Sequence, residues 1–158
     1  MIRLNQWGAI GIVLSAFAFV PLVFAGSGGF IIQGKDIELG EAKEVFTRNP
    51  QGQAQPLPPR YSAKVKKGQS FTLFAQGTAN SRGQAGQPVE PDSGEWTYDR
   101  KMFHAMPVDK KLADKTIISI RLKAHKAGKS QIRFTGKALG YENKFDIDVE
   151  VVEPKSKR

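Results

Sequence analysis

Residues 118–151 alternate between apolar and polar side chains almost without a break, and that period leaves a chain few ways to fold. Ile118, Ile120, Leu122 and Ala124 fall on one side of an extended segment. Ile132 and Phe134 do so in the next, and Phe145, Ile147, Val149 and Val151 in the last. A period of two belongs to a strand with one wet face and not to a helix. Ala127-Gly128-Lys129 and Gly140-Tyr141-Glu142-Asn143 interrupt the runs with turn residues. The pattern also occurs upstream: Tyr61, Ala63 and Val65, then Lys67-Gly68, then Phe71, Leu73 and Ala75. Shorter strand candidates surround Trp96 and occupy residues 102–106. Turn signals at roughly 8–12-residue spacing predict an all-β antiparallel sandwich over residues 61–152.

The N-terminus follows a different rule. Residues 1–8 carry one charge, Arg3, and residues 9–25 carry none. Val23-Phe24-Ala25 then precedes Gly26. A basic start, an apolar run and a small-residue exit make a secretory signal. A spanning helix needs about 20 apolar residues, so residues 1–25 are read as a cleaved signal or an uncleaved anchor helix. Either places the remainder in the periplasm, at the cell surface or in the medium. In the second case it hangs from the inner membrane, and the membrane is touched only through residues 1–25. Residues 26–60 read as an extension, with Phe30-Ile31-Ile32 as a candidate first strand, and a connector at residues 48–60 with Pro50, Pro56, Pro58 and Pro59 among several glutamines. Residues 153–158 form a basic tail.

Several kinds of chemistry are excluded by what the chain lacks. Its 158 residues suit one domain, and none is cysteine, which removes thiol nucleophiles and zinc–thiolate or iron–sulfur sites. His104 and His125 are the two histidines, and neither adjoins a nucleophile motif of the G-x-S-x-G kind. Gly26-Ser27-Gly28-Gly29 lacks the lysine and the helix of a phosphate loop. The chain is therefore read as a non-catalytic module. Its net charge of +9 favours acidic partners. Nucleic acid is not expected, because the polar faces lack aromatics on which bases could stack.

Three groups of residues are candidates for binding. The long polar loop at residues 77–94 ends in Pro91, Asp92, Ser93, Gly94 and, one residue into the next strand, Trp96. Loops of that length in a compact domain are commonly functional. Arg121, Lys123 and Lys126 form a basic face without obvious acidic neighbours. On a strand, Met102, His104 and Met106 would project together, and thioethers with an imidazole suit Cu(I). No cofactor is required by the sequence, with copper as the alternative.

Lys67-Gly68-Gln69, Trp96 in mid-domain and the stretch Leu122-Lys123-Ala124-His125-Lys126-Ala127-Gly128-Lys129-Ser130-Gln131-Ile132 resemble bacterial immunoglobulin-like domains. The resemblance covers residues 62–152 and implies an immunoglobulin-like sandwich that binds another protein or serves as an accessory subunit. Pro91-Asp92-Ser93-Gly94-Glu95-Trp96 resembles the first inhibitory loop of chagasin-like cysteine-peptidase inhibitors. It is one residue shorter, with Asp92 in place of a hydroxyl residue, and the family's Arg-Pro-Trp loop has no counterpart at Ala138-Leu139-Gly140-Tyr141. Residues 98–107 with 117–135 resemble the Z subunit of the thiosulfate-oxidation carrier, which implies a sulfur-carrier accessory role.

Overall fold

The computed structural model describes residues 27–80 and 86–155. The expected N-terminal helix lies outside the described residues. Among the described residues nine strands run in chain order: β1 Ser27–Lys35, β2 Lys43–Arg48, β3 Ala54–Lys66, β4 Ser70–Asn80, β5 Ser93–Thr97, β6 Phe103–Met106, β7 Ile117–Ala124, β8 Gly128–Ala138 and β9 Tyr141–Val152. A short 3-10 turn, Lys110–Leu112, sits between β6 and β7. One sheet has the order β1-β4-β7-β6 and the other β2-β3-β9-β8-β5. Among the described residues no helix is long and apolar enough to cross a membrane.

The alternation decides which side chains meet between the sheets. Phe71, Leu73 and Ala75 of β4 and Leu122 and Ala124 of β7 face Ile132 and Phe134 of β8 and Ile147, Val149 and Val151 of β9, all essentially inaccessible. Phe134 is the hub. Its ring lies 4.8 Å from Phe30 and 4.9 Å from Trp96, with both pairs inclined rather than face to face. Such inclined geometries suit the aromatic quadrupole. Trp96 is 8% exposed and donates its Nε1–H to the Ile118 carbonyl at 3.1 Å, which satisfies its one polar atom across the two sheets.

Two expectations need correction. The sandwich begins at Ser27, not at Tyr61. β1 pairs with β4 over its whole length, and the segment expected to be a connector folds into the β2–β3 hairpin. Pro56, Pro58 and Pro59 lie in β3, where a proline cannot donate to a ladder. They are accommodated because that half of β3 has a ladder partner only in β2; β9 joins from Arg60 onward. The pairing is also not wholly antiparallel, since β3 and β9 run parallel from Arg60↔Asp146 to Lys66↔Val152. β3 reaches that edge from a hairpin and not from a turn with β9, so no tight turn dictates an antiparallel direction.

Candidate functional site

The register sorts the outward-facing residues into two unlike surfaces. On the sheet containing β9, acids run down the middle strand: Asp146, Asp148 and Glu150. Basic or polar residues flank them on both sides. Arg60, Ser62 and Lys64 come from β3, and Arg133, Gln131 and Lys129 from β8. Arg133 grips Asp146 with two donors, Nε to Oδ1 at 2.6 Å and Nη2 to Oδ2 at 3.1 Å. That hydrogen bonding, reinforced by the carboxylate's charge, raises the Arg133 pKa above its ordinary value. Lys64 meets Glu150 at 3.2 Å, and Gln131 donates to Asp148 at 3.1 Å. This surface is neutralised internally, and its shallow hollow over Ser62, Lys64, Lys129 and Asp148 is lined by groups that already face one another. The register sets Arg133 opposite Asp146, while Lys137 lies opposite Glu142, whose carboxylate pairs with Lys144 at 3.2 Å.

The sheet of β1, β4, β7 and β6 is different. One cross-strand row reads Lys35, Thr72, Arg121, Met106, and the next reads Ser70, Lys123, His104. Further rows hold Gln33, Phe74 and Ser119, then Ile31, Gln76 and Ile117. No acid occurs in these rows among the described residues. Arg121 and Lys123, singled out in the sequence, therefore share one face, and Lys126 lies beyond its edge in the β7–β8 connection. Lys35 is a member that sequence reasoning missed. Only the β1–β4 register, which places it opposite Thr72, could reveal it.

The three proposed copper ligands do not share that face. β6 begins at Phe103, and the backbone N–H groups of both Met102 and Phe103 donate to the Asp99 carbonyl. That turn tips Met102 into the core at 6% exposure, whereas His104 stays exposed. The Met106 sulfur accepts from Ser70 Oγ at 3.4 Å. The His104 ring instead stacks on His125 at 3.8 Å with an 11° tilt. Stacked rings hold their in-plane lone pairs in two separate, nearly parallel planes, so the two imidazoles do not converge on a single ion. His125 Nδ1 is buried without a hydrogen bond among the described residues. Arg121 and Lys123 on the same face also oppose a bound cation. Among the described residues no cluster of three or more His, Asp or Glu could hold a metal.

The predicted binding loop is largely part of the scaffold. Its middle, residues 81–85, lies outside the described residues. Asp92 accepts the Gly140 N–H through Oδ2 at 2.9 Å, and its own N–H donates to the Lys137 carbonyl at 2.8 Å. It thus fastens the β8–β9 turn. A side chain at Gly94 would strike Ile118 and the Phe134 ring, so the core requires glycine there. Trp96 is core. Pro91 lies against Gly77, and Ser93 alone of the group is well exposed on a strand. The β8–β9 turn itself has only two residues, Leu139 and Gly140, with φ of 49° and 82°. That leaves no room for a long inhibitory loop.

The loop at residues 107–116 packs beside this turn-bearing end, with the Thr116 carbonyl accepting the Gly77 N–H at 2.8 Å. It is fastened by Asp114, whose Oδ1 accepts from the Thr116 backbone at 2.7 Å and from its hydroxyl at 2.8 Å. Both bonds favour the carboxylate, so the Asp114 pKa is lowered, the backbone bond contributing most. A depressed folded-state pKa contributes stability above the unfolded pKa and loses it as pH falls through the folded value. Thr116→Val should raise the Asp114 titration midpoint by NMR while leaving the backbone bond. An unmoved midpoint would show that the hydroxyl contributes nothing.

No protein-family model matches the chain, and no curated protein matches it. Among solved structures, a chimeric titin Z1Z2 carrying an exogenous decorin peptide is similar over 73% of this chain and 100% of its own, at 10% identity and a TM-score of 0.38. A chain of the titin M10–obscurin-like 1 Ig complex is similar over the same shares, at 16% identity and a TM-score of 0.37. The class is defined by strand order. β1-β4-β7-β6 follows the A-B-E-D order, and β9-β8-β5 follows G-F-C. The chain is an immunoglobulin-like two-sheet sandwich, with β2 and β3 added at the β9 edge.

Proposed function

We propose that this chain is an exported, non-catalytic binding module that docks an acidic protein surface on the outer face of β1, β4, β7 and β6. It acts there as an accessory subunit of a periplasmic or membrane complex. The carrying observation is the contrast between the two outer faces. One neutralises its charges in cross-strand rows, and the other presents Lys35, Arg121 and Lys123 in two adjacent rows, with half-buried Met106 among them, Phe74 in the next row and Ile117 in the row beyond, and no acid in these rows. Cations beside apolar area suit a partner that supplies carboxylates at the rim and hydrophobic contact at the centre. A rigid sheet holds these groups at fixed spacing. The composition supports the non-catalytic reading: no thiol, two stacked histidines and no nucleophile motif.

Isolation of the tagged full chain from native membranes, at its native level, tests the proposal. An acidic partner should be recovered in stoichiometric amount and released by salt, because exposed charges are screened within about 8–10 Å at physiological ionic strength. Arg121→Glu with Lys123→Glu should abolish recovery, while Lys64→Glu with Lys129→Glu on the other sheet should leave it intact. Recovery of the chain alone, or equal recovery by both double variants, would overturn the assignment.

A further inference from the structure

We propose that the turn between β8 and β9 rests in the headgroup layer of a lipid bilayer, with residues 1–25 retained as the anchor that brings it there. The covalent geometry comes first. Ser27 opens β1, and Ala25 is the last residue of the apolar run that precedes Gly26. Two residues of extended chain reach about 7 Å at most. The end of the sandwich at Ser27 therefore stands on whatever surface that run enters. Gly28 lies directly against the turn. A Cβ there would collide with the Ala138 carbonyl oxygen and come within 3.1 Å of the Leu139 Cβ. Asn143 Nδ2 donates to the Gly28 carbonyl at 3.5 Å.

Exposed apolar side chains gather at the same end. Among the described residues the large hydrophobics open to solvent are Phe46, Leu57, Leu139 and Tyr141. Leu139 and Tyr141 belong to the turn and its exit. Leu57 lines a shallow groove with Asn143 and Phe145, and Phe46 sits one rung along the hairpin, opposite Pro56. The opposite end, which bears the β3–β4 and β7–β8 turns and the end of β9, contributes none of them.

Leu139 is costly where it stands. A two-residue hairpin turn with positive φ at both positions favours Asn-Gly, and a branched apolar residue at φ 49° is strained. Solvent returns nothing for that strain, because the side chain is 46% exposed. A bilayer interface does: it takes up leucine, favours tyrosine at headgroup level and lets Lys137 extend toward phosphates, while Lys144 stays paired with Glu142. The module then stands upright, with the face of Arg121 and Lys123 directed sideways and the C-terminal end of β9 directed away.

The absence of cysteine makes a clean test available. The full chain is reconstituted in phosphatidylcholine–phosphatidylglycerol vesicles with one cysteine carrying an environment-sensitive fluorophore, at Leu139→Cys, Tyr141→Cys or, at the far end, Lys67→Cys. Probes at 139 and 141 should shift to the blue and be quenched by brominated lipid, while the probe at 67 stays water-like. Leu139→Asn, read through the probe at 141, should lose most of that quenching while its urea midpoint equals or exceeds that of the parent. Vesicle-bound protein with wet probes at 139 and 141 would overturn the proposal, as would failure of the full chain to bind vesicles. So would probes that stay wet on vesicles and dry only when a protein partner is added. None of these outcomes bears on capture through Arg121 and Lys123, which is read separately.

Discussion

Phe134→Ala should lower the unfolding free energy by roughly 3–5 kcal/mol. The side chain is fully buried and touches aromatic rings from β1 and β5. Two glycines, Gly94 and Gly136, have their Cα atoms so close to the ring that a Cβ at either would be crowded. Removing the ring leaves a cavity walled partly by the backbone at Gly94 and Gly136, and backbone in two paired strands collapses poorly. A domain of this size has about 5–15 kcal/mol in total, so the variant should keep only part of its stability. Urea denaturation followed by far-ultraviolet circular dichroism measures it, with the midpoint falling and the slope unchanged. Phe46→Ala, at a side chain 58% exposed, is the matched comparison and should stay within about 0.5 kcal/mol. A similar loss at the two positions would mean that the aromatic centre does not hold the sheets together.

Arg133→Met should cost roughly 2–3 kcal/mol. The Asp146 side chain is 2% exposed, and both of its oxygens receive hydrogen bonds from Arg133. Losing the guanidinium leaves a buried carboxylate with neither bond. The cost lies below that of a fully buried pair because the Arg133 side chain is 49% exposed and water reaches it. Asp146→Leu added to Arg133→Met should recover most of the loss, since an apolar pair of similar volume replaces a buried ion pair at little cost. A double-mutant cycle by urea titration reads the coupling. Losses that simply add would show that the two residues do not act as a pair.

These residues differ in how far the chain announces them. Phe134 and Ile147 lie in unbroken alternating runs, so their burial follows from period alone. Trp96, offered by the sequence as part of a binding loop, is a large aromatic in a short strand flanked by polar residues and is buried in the core. Asp146 reads as one more outward acid, and only its bidentate pairing shows why it is inaccessible. The β2–β3 hairpin was hidden by its prolines, which locally oppose a strand and are tolerated only because half of β3 has a ladder on one side. Met102 was misplaced because alternation was extended one residue beyond the start of β6, across a turn closed by Asp99.

By itself the sequence determined the faces. Side-chain direction in an extended chain reverses at each residue, so the buried set of β4, β7, β8 and β9 is a local property. It also determined what the chain lacks: thiols, a nucleophile motif and a phosphate loop. The tertiary structure alone decided the neighbours. Strand order and register arise from contacts between residues far apart in the chain, and they set acids between bases on one sheet while gathering Lys35, Arg121 and Lys123 on the other. They also bring Leu139 against Gly28, three residues from the end of the apolar N-terminal run, by a contact that no local pattern encodes.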